Sequence, residues 1–533
     1  MLQGAFTALT ADEAYYYLYA LQPDWGYFDH PPMIAWLIRL GLFWGDATWQ
    51  VRLFPIALFT ISLYFIEGIA QPNKPWLYRL LVISVGVFHF YGFFAVPDAP
   101  AFFFAVLVMK YYLRFLKRQA IGIAIHLGVS AGALLLSKYH GIVFLGLLFL
   151  ANPWLALKRN SWLAALSAIL LLAPHVFWLW KHDFPSFSYH LEERHIAFDI
   201  GGQLLHYFTT QLFFLGPFTS FLFFVCAARK MPADAAKRAI WVLFWGIYLF
   251  FALLSFKGRV EAHWTFLAAI PGLLILSEQM GNLSVLLVKR ISAISLVIIV
   301  SGRLLVMLPA ERSSPIYQLT RDFRPPIYAL DEINAASKGH PVIFMNHYQW
   351  SAWYIYYYRA HAFSLSNNYG RRTQFDLWKT ARKYESDSVL FVANNGDLRL
   401  EPFTQAQDFR HITLPNFIDL SRFHLHAIGF PKSAQVGDSI VINGTVRFDG
   451  DLGLIEKSAD WPYTVVAEVF KDGQLLLEQP LYQLPIPEAT SLNFWVKQKW
   501  PLEQGQYQVK FGIRGNYLPP IKSMGYMSFQ LKH

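Results

Sequence analysis

The chain has 533 residues, of which 55% are hydrophobic, 17% aromatic and only 15% charged, against about a quarter charged in an ordinary soluble domain. Its single cysteine, Cys226, lies in an apolar run, which excludes a disulfide framework or a cysteine metal site. The formal net charge of +10 does not point to nucleic acid: much of it sits in short loops between apolar runs, where it sets membrane orientation, and no basic helix or RNA-binding motif accompanies it.

The first fifty residues are polar and aromatic. Thr10, Asp12 and Glu13 precede an aromatic run (Ala14-Tyr15-Tyr16) and read as the acidic start of a helix. Trp25, Tyr27 and Phe28 suit an interfacial aromatic belt. Pro31-Pro32 sets a rigid turn and starts a helix over Met33 to Leu42, amphipathic enough to lie in the bilayer interface.

From Val51 to about Leu308 there are about ten apolar runs that span or nearly span a bilayer, which takes roughly 20 residues each. They lie near 51–70, 76–94, 99–116, 119–136, 140–157, 161–180, 204–227, 239–256, 264–280 and 288–308. If every run spans, the basic loops holding Arg114 to Arg118, Lys158-Arg159, Arg229 to Arg238 and Lys289-Arg290 share one face, which the positive-inside rule makes cytoplasmic. The outer face then receives residues 1–50, Pro97-Asp98, 137–140, 181–203, 257–263 and everything after Leu308. Met1 to Thr10 is too short and mixed for a signal peptide or a span, so a membrane helix is expected to precede Met1.

The membrane domain is therefore expected over 1–308. Residues 309–422 mix strand-like pieces, such as Val342-Ile343-Phe344-Met345 and Val389-Leu390-Phe391-Val392, with a helix around Ser351 to Arg359, and read as a small α/β domain. From 423 to 533 short alternating strands, with a hairpin signal at Asp472-Gly473, predict a β-sandwich.

The outer loops carry the chemistry. Adjacent Asp12 and Glu13 could take a proton from an attacking hydroxyl or hold a divalent cation; equally, they are good helix N-terminal residues. Asp29 and His30 stand ahead of the rigid Pro31-Pro32 turn. Asp98 lies in a tight turn, where a solvated aspartate is common, and gains meaning only beside Asp12. Lys257 and Arg259 around Gly258 can grip a phosphate, with Glu261 and His263 following; the plain alternative is two snorkelling cations. Lys138 with Tyr139, and His182 with Asp183, form similar outer clusters. Carboxylates, cations and aromatics beside lipid suit an amphiphile bearing a phosphate and a sugar, whose leaving group is already in place.

These motifs, taken as Asp12-Glu13-Ala14-Tyr15-Tyr16, Trp25 to Pro32, Pro97-Asp98-Ala99-Pro100, Leu136-Ser137-Lys138-Tyr139, His182 to Phe187 and Lys257 to Trp264, occur in an order that resembles the lipid-linked-sugar glycosyltransferases of the C-type membrane fold. That group contains protein mannosyltransferases and lipid A aminoarabinose transferases, and the nearest likeness is to the ArnT-like proteins of glycosyltransferase family 39. The resemblance implies inverting transfer from a polyprenyl-phosphate sugar to a lipid, glycan or protein acceptor, on the outer face of the inner membrane. It implies Asp12 as general base with Glu13 beside it, Asp98 as a second acid, and Lys257 and Arg259 on the lipid phosphate. His30, Lys138 and Tyr139 join the donor side; Tyr27, Asp29, His182, Asp183, Glu261 and His263 are acceptor or support residues. Some relatives carry Lys where this chain has His30, which leaves the sugar open. Some use a divalent metal and others do not, so a Mg or Mn ion at Asp12 and Asp98 stays open. A transporter or flippase and a non-catalytic glycan-export scaffold are the rival classes. A transporter would bury its charges near the midplane, often in two repeats, whereas here they cluster at loop ends.

Overall fold

The computed structural model describes residues 2–188, 200–216, 218–368, 370–396, 399–485, 490–521 and 525–532. The chain divides into two compact units, Met1–Pro325 and Pro326–His533.

The first unit is helical. Thr48–Ala70, Asp98–Lys117, Arg159–Lys181, Ala235–Ser255 and Val285–Met307 are each long and apolar enough to cross a bilayer. The pair Gly201–Phe214 and Thr219–Ala227, bent by 102°, makes a sixth if taken as one broken span. The remaining apolar runs become shorter pieces, such as Ile121–Ser137 and Gly141–Ala151. The run near 76–94 breaks into Pro75–Ile83 and Phe88–Tyr91, because the Gly86 N–H leaves the helical ladder and donates to the Leu215 carbonyl at 3.0 Å. Apolarity alone does not register such a break. Much of the loop over 181–203 lies outside the described residues.

Small residues let these helices meet. A Cβ at Gly128 would stand 2.1 Å from the Ala164 carbonyl oxygen, so Ile121–Ser137 and Arg159–Lys181 touch backbone to backbone, the close approach that stabilises helix pairs in lipid. An aromatic cluster of Phe59, Phe88, Phe102 and Phe266, with centroids 5.1 Å apart for Phe59–Phe102 and 4.9 Å for Phe102–Phe266, ties several helices together. Ile169, Leu170, Phe177 and Trp180 of Arg159–Lys181 are exposed, as a lipid-facing stripe requires.

The second unit opens with a five-stranded sheet. Val342–Met345 lies between Ala362–Leu365 and Val389–Asn394, parallel to both, and the antiparallel Phe409–Leu414 and Glu401–Pro402 follow. The helices Ile327–Ser337 and Tyr348–Tyr358 bury their apolar sides against it. The rest forms two sheets. One runs Gln474–Gln483, Thr464–Lys471, Gly505–Arg514, Met527–Lys532, Ser433–Gln435; the other runs Ser491–Lys499, Ser439–Phe448, Phe423–Gly429. The Asp472-Gly473 turn has φ of 51° and 78°, the primed geometry whose twist matches its strands.

Alternation places Val465, Ala467 and Val469 with Tyr507, Val509 and Phe511 in the interior. Glu468 and Lys510, on the opposite row, are buried too, because Asn368 covers them: its amide donates to Glu468 Oε2 at 2.6 Å and its carbonyl accepts from Lys510 Nζ at 2.7 Å. Burial pushes the Glu468 carboxyl up to about 7, against partial relief from Asn368, Lys510 and Arg514. Burial likewise raises Asp460 to about 7, although Tyr517 and Leu518 donate backbone N–H groups to it. A carboxyl whose folded value lies above its unfolded one contributes stability below the unfolded value and loses it as pH rises through the folded one. The second unit is therefore expected to lose roughly 3 kcal/mol at Glu468 between about pH 4.5 and pH 7.5. In Glu468→Gln, thermal unfolding against pH should flatten and Tm at pH 8 should rise; an unchanged profile would contradict this.

Candidate active site

The site is built around the N-terminus of the helix Ala11–Leu21. Thr10 and Glu13 form a capping box, which satisfies N–H groups that the first turn leaves unpaired. Asp12 is exposed in that first turn, while Glu13 faces inward and is fully buried. Both oxygens of Glu13 are engaged. Arg52 donates to Oε1 through Nε and to Oε2 through Nη2, both at 2.6 Å, and the Ala95 N–H donates to Oε1 at 2.8 Å. Arg52, also fully buried, further donates to the carbonyls of Thr7 and Ala8 at 2.8 Å and lies over the Phe93 ring, 4.8 Å from its centroid. Glu13 thus joins three pieces of chain: the Asp12 helix, the span Thr48–Ala70 and the segment that leads into Asp98.

Asp98 begins the span Asp98–Lys117. Its Oδ1 accepts from Lys138 Nζ at 2.7 Å, with both side chains 7% exposed. Lys138, expected on the donor phosphate, is therefore held by a carboxylate. The carboxylates of Asp98, Glu261 and Asp12 all act electrostatically on the Tyr91 hydroxyl, and His263 stacks on the Tyr91 ring at 5.5 Å. Burial is the main cause that pushes the Tyr91 hydroxyl up, with the charges of Asp98, Glu261 and Asp12 adding to it, and the sequence did not single this tyrosine out. A double-mutant cycle of Asp98→Asn and Lys138→Met, read as thermal stability in lipid nanodiscs, should give a coupling of about 1–3 kcal/mol; additive single effects would contradict a buried pair.

A second group holds the loop Asp24 to His30. Trp178 Nε1 donates to Asp24 Oδ2 at 2.8 Å, His175 Nδ1 lies 2.7 Å from the Trp25 carbonyl and Ser186 donates to the Phe28 carbonyl at 2.8 Å. A Cβ at Gly26 would stand 2.4 Å from the Trp178 ring, so only glycine lets the loop pass. Within the loop, Tyr27 stacks on Tyr19 at 4.1 Å and donates to the Tyr19 carbonyl at 3.0 Å. Tyr19 donates to Asp29; burial and the Asp29 charge push its hydroxyl well above the ordinary tyrosine range, so it stays a donor. Tyr16 and His30 Nε2 are 3.0 Å apart. Tyr139 lies 3.2 Å from both His175 Nε2 and Ser186 Oγ, which makes it part of this clamp. His182 stacks on Trp178 at 4.4 Å, and Asp183 is exposed with φ of 57°.

Lys257 and Arg259 are exposed. Arg259 pairs with Glu261 at 3.2 Å, a contact that water weakens to about 0–1 kcal/mol. Lys257 pairs with no carboxylate among the described residues.

The donor set does not fit a divalent cation shared by Asp12 and Asp98. The Lys138 ammonium occupies Asp98 and repels a cation, and Arg52 occupies the neighbouring Glu13. Among the described residues, no group of three or more His, Cys, Asp or Glu is placed to hold a metal ion.

Sequence reasoning missed Arg52, Tyr91, His175 and Trp178. Arg52 had a visible signal, an arginine inside an apolar run, which is expensive in lipid unless paired. Tyr91, His175 and Trp178 look like ordinary residues of aromatic spans, and only folding brings them to the loops.

Residues 29–178 match the sequence model of the dolichyl-phosphate-mannose-protein mannosyltransferase family. A lipid A galacturonosyltransferase (RgtD) of Rhizobium johnstonii is 25% identical over 294 residues, covering 52% of this chain and 61% of the relative; the chain thus aligns with less than two thirds of that protein's length. Among solved structures, ArnT of Cupriavidus metallidurans in the apo state superposes with a TM-score of 0.55 at 13% identity, covering 78% of this chain and 95% of that one. The same ArnT bound to undecaprenyl phosphate gives 0.54 at 14% identity, with coverage of 78% and 96%. The chain is an integral membrane protein with the ArnT-like C-type fold.

Proposed function

We propose that this chain is a membrane glycosyltransferase that moves a sugar from a polyprenyl-phosphate donor to a hydroxyl of a lipid, glycan or protein acceptor. The observation that carries the reading is the buried Glu13–Arg52 pair, which together with the Ala95 N–H ties the Asp12 helix to the chain that leads into Asp98. The family match over residues 29–178, which holds His30, Asp98 and Lys138, supports it, as does the undecaprenyl phosphate bound by the ArnT that shares this fold.

In the proposed step the acceptor oxygen attacks the anomeric carbon from the face opposite the phosphate. The carbon–oxygen bond to the phosphate breaks, the configuration inverts and polyprenyl phosphate leaves. Asp12, the exposed member of the pair, takes the acceptor proton. Glu13 positions that helix. Asp98, neutralised by Lys138, fixes the opposite wall of the site. Lys257 and Arg259, exposed cations next in chain to Glu261, hold the departing phosphate; the weak Arg259–Glu261 pair yields to a phosphate, which accepts bidentate hydrogen bonds from Arg. The reaction takes place on the outer face of the inner membrane, with the basic loops cytoplasmic.

The test is reconstitution of the chain in vesicles with a radiolabelled polyprenyl-phosphate sugar and an envelope lipid extract. The expected result is label in the acceptor with release of polyprenyl phosphate in equal amount. Absence of both, with the protein correctly inserted, overturns the reading.

A further inference from the structure

The second unit carries a groove that the membrane-side reaction does not use. Its volume is about 870 Å³, within the range of sites that take small organic ligands. It lies on the open half of the outer face of the sheet that holds Gly505–Arg514 and Met527–Lys532, whose other half Asn368 covers through Glu468 and Lys510. On that open half Gln506 stands directly opposite Gln530, and Gln508 directly opposite Ser528. All four side chains are exposed and line the groove.

Strand geometry fixes their spacing. Directly opposed residues are about 5 Å apart across the strands, and residues two apart along a strand about 7 Å. The result is a small grid of neutral groups, each able to donate and to accept. The walls add little net charge, with Lys432 on one side and Asp472 on the other. Phe430 borders the groove, but its ring turns inward onto Trp500, Phe511 and Phe529, so the groove's contacts are polar.

That chemistry selects a ligand class. Phosphate or nucleic acid would call for clustered cations, and an apolar peptide for an apolar floor. Vicinal hydroxyls, which donate and accept at sugar-ring spacing, match paired amides. We propose that this groove is an oligosaccharide-binding site, independent of the membrane-side carboxylates.

The probe is the pool of oligosaccharides released by mild acid from the envelope of the source cells, presented to the full chain in nanodiscs and read by saturation-transfer NMR. Saturation should reach sugar protons in the wild type. It should weaken by about tenfold in affinity in Gln508→Ala/Gln530→Ala, where two sets of hydrogen bonds are lost, and vanish in Gln508→Trp, which fills the groove without touching the core. Asp12→Asn should bind as the wild type does. No transfer to the wild type, or equal transfer to the wild type and both groove variants, overturns the proposal. So does binding that is lost in Asp12→Asn but kept in the groove variants, because it then belongs to the membrane-side site.

Discussion

Replacing Arg52 by alanine is expected to lower the stability of the membrane unit by about 3–5 kcal/mol, because it leaves the Glu13 carboxylate buried without its cation. Both side chains are fully buried and joined by two hydrogen bonds of 2.6 Å, so neither water nor a nearby group can substitute. The loss should also reach activity. Arg52 holds the Thr7 and Ala8 carbonyls, and Glu13 holds the Ala95 N–H three residues before Asp98. Without the pair, the Asp12 helix and the Asp98 turn lose their common strut. The double variant Arg52→Met/Glu13→Gln should recover much of the stability, since removing both charges removes the desolvation penalty, while activity stays low. Thermal unfolding in nanodiscs reads both outcomes; a single Arg52→Ala variant that unfolds at the wild-type temperature would contradict them.

The second large effect is expected at Asp12. A general base contributes typically 10²–10⁴-fold, so Asp12→Asn should lower kcat by that order. Asn keeps the size of the side chain, and the cap rests on Thr10 and Glu13, which remain. Folding and insertion should therefore survive. Glu13→Gln distinguishes the two neighbours: it weakens the Arg52 pair and should act mainly through stability, because the Glu13 oxygens already accept from Arg52, Thr10 and Ala95.

Much of this architecture was legible in the sequence. Apolar runs announce a membrane bundle because lipid tolerates little else, and the Asp472-Gly473 turn announces its hairpin because few residues accept positive φ. The motif order led to the ArnT-like fold. What the sequence concealed depends on long-range folding. Glu13 and Asp12 are adjacent and chemically alike, yet the helix turns one into the interior and the other outward, and one residue's rotation decides which is a strut. Nothing in the sequence near Lys138 shows that its partner is a carboxylate 40 residues earlier. The run near 76–94 looks like a span until Gly86 bonds to Leu215. Among the described residues the number of full-length apolar helices, five or six, is accordingly smaller than the number of apolar runs.

The central claim is that Asp12 takes the acceptor proton in a transfer from a polyprenyl-phosphate sugar. Its most direct test is the initial rate of sugar transfer by wild type and Asp12→Asn in matched vesicles, with insertion and thermal stability measured on the same samples. The predicted result is a fall of about 10²–10⁴-fold at unchanged stability. Transfer at the wild-type rate by a stably inserted Asp12→Asn would contradict it.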